Sequence, residues 1–96
     1  MEDLLNSAQI KDICQKNNIS YLGLFGSYAR GEQTEKSDVD LLVKFGVPVG
    51  YFTLVDVQNT FQEFFNRKVD LVTEKAISKY MRPGIMKEVK TLYGSR

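Results

Sequence analysis

Six residues carry the chemistry that this chain can do. Gly26-Ser27 follows a short apolar run, and Arg30 stands three residues beyond Ser27. Asp38 and Asp40 then open a second apolar run, and Asp70 stands in a third. Gly26 lets a backbone approach a ligand closely because it has no Cβ. If Ser27 opens a helical turn, its unpaired N–H groups face outward and suit an anion such as phosphate. Asp38 and Asp40 are i and i+2, so on a strand they share one face, about 6–7 Å apart. Two such carboxylates repel, which raises the pKa of one of them unless a cation sits between them. All-oxygen donors of this kind suit Mg²⁺, which takes one or two carboxylates together with substrate phosphates. Taken singly, Gly-Ser reads first as an ordinary capped strand-turn-helix junction, and Asp-x-Asp first as a strand end facing water. Their succession within one compact unit favours a phosphate-and-metal site.

Other phosphate motifs fail. Gly26 and Gly31 have Walker A spacing, but Glu32-Gln33 stands where Lys-Ser/Thr is required. There is no Gly-x-Gly-x-x-Gly, and the acids lack the further ligands and glycine of an EF-hand loop. The chain has no histidine. That removes Ser-His-Asp and Cys-His catalysis and most zinc sites. Cys14 is the single cysteine, flanked by Ile10 and Ile13, and reads as a small buried residue.

The chemistry needs elements to hold it. A helix is expected from Leu4 to about Lys16, with Leu5, Ile10, Ile13 and Cys14 on one face and Asn17-Asn18 ending it. Strands are expected over Ser20–Phe25, Asp38–Phe45 and Lys68–Thr73, with a short helical turn over Gly26–Arg30. In the third strand, alternation turns Val69 and Leu71 to one face and Asp70 and Val72 to the other. Asp70 there is either a ligand beside Asp38 and Asp40 or a solvated acid on an edge strand. Tyr51 to Asn66 is the clearest helix, with Leu54, Val57, Phe61, Phe64 and Phe65 at helical spacing, which marks a core stripe rather than a base-stacking platform. A helix is expected to begin at Glu74 and run to Tyr80. A fresh one is expected from Pro83 to Tyr93, with Ile85, Met86, Val89, Leu92 and Tyr93 as its apolar stripe.

Ninety-six residues suit one domain spanning 1–96. Thirteen Lys and Arg against twelve Asp and Glu argue against a broad nucleic-acid surface, and no direct nucleic-acid binding is expected. The acidic start Met1-Glu2-Asp3 has no apolar stretch behind it, so no signal peptide is expected. With no run approaching a membrane span, the cytoplasm is the expected location.

Gly26-Ser27-x-Ala29-Arg30-Gly31 followed by Ser37-Asp38-x-Asp40-Leu41 resembles the signature of the DNA polymerase beta-type nucleotidyltransferase superfamily. Within it the chain most resembles the minimal nucleotidyltransferases (MNT) of HEPN–MNT toxin–antitoxin pairs. The likeness extends to Lys68-Val69-Asp70-Leu71-Val72 and to the tail around Arg82-Pro83 and Lys87-Glu88-Val89. It implies an α/β (α+β) fold, a small mixed sheet with helices packed on one side. It implies Mg²⁺, two ions, held by Asp38 and Asp40 with Asp70 completing the site. Gly26 and Ser27 would bind the β and γ phosphates of ATP. Arg30 would either assist there or only pair with a nearby acid; Arg82 and Lys87 are weaker candidates. It implies AMP transfer to a tyrosine of a HEPN-domain toxin, which is thereby neutralised. Two other readings stand beside it: an antitoxin that acts by binding alone, and a nucleotidyltransferase for a small molecule.

Overall fold

β1 (Ile19–Phe25) lies at the heart of a four-stranded mixed sheet, paired antiparallel on one side with β2 (Val39–Phe45) and on the other with β4 (Lys90–Gly94). β2 pairs in parallel with β3 (Val69–Thr73), giving the order β3-β2-β1-β4. This computed structural model describes residues 2–5 and 7–96. Met1 and Asn6, which the readings of the acidic start and the first helix include, lie outside the described residues.

Parallel neighbours need a crossover, and α4 (Tyr51–Phe65) supplies it between β2 and β3. Val57, Phe61 and Phe65 of its stripe are buried. They meet Val39, Leu41 and Val43 of β2, Val69 and Leu71 of β3, and Ile10 and Cys14 of α2 (Ala8–Lys16). Two glutamines of α4 also pin β3. Gln62 Oε1 accepts Val69 N–H and Gln58 Oε1 accepts Leu71 N–H, each at 3.1 Å, which satisfies donors on the sheet's open edge. Burial raises the Cys14 thiol to about 12, so it is an inert core group. Phe61→Ala removes a ring with no exposed surface and is expected to lower stability by about 3–5 kcal/mol. Urea unfolding followed by circular dichroism, at unchanged slope, is the check.

Three expectations need correction. The first helix is two, α1 (Glu2–Leu5) and α2, because Ser7 turns extended and its hydroxyl accepts Gln9 N–H at 2.9 Å as an N-cap. The segment after β3 makes only a single 3₁₀ turn, Glu74–Ala76, before Ile77 turns extended and buries against Leu42. Ser78 then accepts the Tyr80 and Met81 N–H groups. The last helix, α5 (Arg82–Glu88), stops at Glu88, and Leu92 and Tyr93 belong to β4. The free edge of β1 offers backbone partners to a β-branched and aromatic run, and that pairing outweighs a helical apolar spacing.

The main helical layer lies on one face of the sheet. On the other face a smaller cluster gathers Tyr21 and Leu42 under Ile77 and Ile85, so α5 covers part of the face that carries the acids. Among the described residues no helix is long and apolar enough to cross a membrane.

Candidate active site

Asp40 is the second residue of β2, and the pairing of that strand sets its neighbours across the sheet. Phe25 is its partner across β1, so the turn that follows Phe25 arrives directly at Asp40. Asp70 is its partner across β3, so the two side chains lie on one face of adjacent parallel strands, whose spacing is about 4.8 Å. Asp38 stands just before the strand. Val39, Leu41, Val69 and Leu71 are buried on the opposite face, which holds this alternation in place.

The charges of the other two acids reach Asp40. The Asp40 carboxyl is raised above its ordinary range, first by burial and then by the charges of Asp70 and Asp38. Glu88 adds to the rise, and Arg30 opposes it. Among the described residues, no three acids stand close enough, as placed, to hold an ion together. Asp70 is exposed, and Asp38 and Asp40 are half-buried. Hard oxygen donors under mutual repulsion fit a divalent cation in kind.

The Gly26 turn has a physical reason to be glycine. Its φ of 76° and ψ of −155° belong to a region that L side chains scarcely enter, and a Cβ there would fall on Asp40 Oδ2. Gly26 is the N-cap of α3 (Ser27–Arg30), and its carbonyl accepts the Ala29 and Arg30 N–H groups, both at 3.1 Å. The N–H groups of Ser27 and Tyr28 therefore have no turn of helix behind them. Ser27 is the first helical residue rather than a cap, and no side chain caps the helix.

Arg30 meets two acids. Its Nε donates to Glu32 Oε1 at 2.6 Å, and its Nη1 donates to Glu88 Oε2 at 3.0 Å and Oε1 at 3.2 Å. Of the two sequence readings of Arg30, the pairing with nearby acids is the one the structure displays. Burial alone would raise the Glu88 carboxyl, but hydrogen bonds from Arg30 and from Gly26 N–H, with the charge of Arg30, hold it below the usual range. Arg82 lies at the other end of α5, where its Nη2 donates to the carbonyls of Glu74 at 3.1 Å and Ile77 at 3.4 Å. Lys87 is exposed.

Sequence reasoning gave Glu88 no role. Its contact with Gly26 spans 62 positions, and only the packing of α5 across the sheet reveals it. A cavity of about 470 Å³, lined by Lys44, Phe45, Thr73, Lys75 and Arg82 among others, was also unforeseen. It opens at the carboxyl ends of β2 and β3, whereas the acids stand at their amino ends.

A mixed sheet that brings a glycine-serine turn and three acids to one end of two parallel strands defines a nucleotidyltransferase domain. The chain belongs to the polymerase beta nucleotidyltransferase family, which it matches over residues 8–96. A Methanocaldococcus jannaschii protein, MJ0128, provisionally named a protein adenylyltransferase, is 36% identical over 91 residues, covering 86% of this chain and 90% of its own. Protein adenylyltransferase MntA of Thermococcus cleftensis is 29% identical over 83 residues, covering 86% and 84%. The fold also matches a chain in the solved structure of the tri-AMPylated Shewanella oneidensis HEPN toxin in complex with MNT antitoxin. That match has a TM-score of 0.73 at 21% identity and covers 99% of this chain and 74% of the other.

Proposed function

We propose that this chain transfers AMP from ATP, with Mg²⁺, to a tyrosine hydroxyl of a partner HEPN-domain toxin, and so acts as an antitoxin. One observation carries the reading: Asp40 lies between the charges of Asp38 and Asp70 and against a turn that only glycine can make. The relative from Thermococcus cleftensis, named a protein adenylyltransferase, and the toxin–antitoxin complex of like fold support the acceptor class.

Asp38 and Asp40 would hold the cation, with Asp70 completing the set. When bound, a divalent cation neutralises triphosphate charge and acidifies an attacking hydroxyl. The rest falls to the chain itself. Ser27 and Tyr28 N–H groups, with the Ser27 hydroxyl, take the β and γ phosphates, and Gly26 permits the close approach. Asp70, exposed at the edge of the group, is the acid placed to accept the proton of an incoming hydroxyl. The acceptor oxygen bonds to the α phosphorus, the α–β anhydride bond breaks, and pyrophosphate leaves. The two carboxylate partners of Arg30 support a role for it in shaping the turn rather than in binding phosphate. The toxin–antitoxin complex of like fold supports an acceptor brought by another protein. The cytoplasm, with its ATP, is the compartment this activity requires.

The test is ATP labelled at the α phosphate, incubated with Mg²⁺, this chain and its partner toxin. Label on the toxin, lost in Asp40→Asn, is the expected result. Neutralisation by both proteins with no label transferred would establish binding alone. Label on a metabolite and never on protein would establish a small-molecule enzyme.

A further inference from the structure

Glu88, the last residue of α5, reaches a turn 62 positions earlier in the chain. Its Oε1 accepts Gly26 N–H at 3.1 Å and Arg30 Nη1 at 3.2 Å, and its Oε2 accepts Arg30 Nη1 at 3.0 Å. One carboxylate thus restrains both ends of the turn, the glycine that starts it and the arginine that closes α3. A glycine is the least restrained residue in a chain, and donors aimed at a ligand are useful only if their direction is fixed. Gly26 is braced by Asp40 on its Cα side. Its N–H side is braced by Glu88. The negative charge that Glu88 brings near Asp40 is offset by Arg30, which Glu32 holds from its other side at 2.6 Å.

We propose that Glu88 is a positioning residue for nucleotide binding: it clasps α5 to the Gly26–Ser27 turn, through Gly26 N–H and Arg30, and so sets the direction of the Ser27 and Tyr28 N–H groups. Arg30 acts through this clasp and not on phosphate. The inference rests on the reading that the turn receives the triphosphate. It adds the residue that makes the turn rigid, and it ties the C-terminal segment to the nucleotide site.

The experiment measures the Kd of ATP with Mg²⁺ for wild type, Glu88→Ala, Glu88→Gln, Arg30→Ala and the double alanine variant, with hydrogen exchange at the Gly26 amide in each. Glu88→Ala is expected to weaken ATP about tenfold and to speed exchange at Gly26. Glu88→Gln keeps an oxygen for Gly26 N–H and is expected within about threefold of wild type, with Gly26 still protected. The double variant is expected to bind no worse than Glu88→Ala, because both residues serve one clasp. Additive losses, or an unchanged Kd in Glu88→Ala, would overturn the proposal, as would unchanged Gly26 exchange whatever the transfer assay gives. ATP that binds as described but labels no acceptor would overturn the transfer reading and leave the clasp supported. Wild type that binds no ATP would overturn both.

Discussion

Asp40→Asn is expected to lower AMP transfer by about 10³-fold or more, while the protein stays folded and becomes more stable at neutral pH. The two effects have one cause. The Asp40 carboxyl is raised by burial and by the charges of Asp70 and Asp38, so ionising it opposes folding. Between its ordinary value and the raised one, the folded state binds more protons than the unfolded state. Wild-type stability therefore falls as pH rises through that window. Below the ordinary carboxylate range Asp40 is protonated in both states, and wild type and variant should converge. Asparagine keeps the shape and drops the charge, which leaves the core face of β2 untouched. Melting curves across pH, beside label transfer, read both halves. A variant that loses activity and also loses stability at neutral pH would show that Asp40 is held by favourable contacts and is not a repelled ligand.

Gly26→Ala is expected to be the most damaging change outside the acids. It meets two separate penalties. The backbone at φ 76° and ψ −155° is disfavoured for any residue with a Cβ, at about 1–3 kcal/mol. The new methyl also falls on Asp40 Oδ2, so either the turn or the carboxylate must move. A displacement of about 1 Å at a reacting group is enough to reduce turnover about 10²-fold. Gly31→Ala is the matched control. Its φ is also positive, at 70°, but nothing lies within 4 Å of the added Cβ. It should lower stability by about 1–2 kcal/mol with near-normal transfer. Equal activity in the two variants, compared at a temperature where both are folded, would show that the closeness of Gly26 to Asp40 does not matter.

What could be read from the chain and what could not divide along one physical line. Signals carried by neighbours in sequence were legible. The phenylalanine stripe of α4 repeats at helical spacing, and Val57, Phe61 and Phe65 are buried as that spacing requires. The alternation Val69-Asp70-Leu71 placed Asp70 on the acid face, and its parallel register with Asp40 bears that placement out. Signals that depend on distant pairing were hidden. Val89 to Tyr93 has a helix-like apolar spacing, yet Tyr93 pairs with Leu22 and Lys90 with Leu24 because β1 has a free edge there. Nothing local to Glu88 announces that its partner is Gly26. Arg30 showed the same limit: the sequence held phosphate binding and ion pairing in balance, and only the fold brought Glu88 to it.

On this reading Asp38, Asp40 and Asp70 close around a divalent cation beside a nucleotide's phosphates. The decisive experiment is a crystal structure with Mn²⁺ and a non-hydrolysable ATP analogue, with data collected at the manganese edge. Anomalous density is expected bonded to Asp38 and Asp40 oxygens at about 2.0–2.2 Å, with Asp70 turned toward it and the phosphate tail on the Ser27 and Tyr28 N–H groups. Manganese or phosphates settling elsewhere, such as the cavity lined by Lys44, Lys75 and Arg82, with no metal at Asp40, would contradict it.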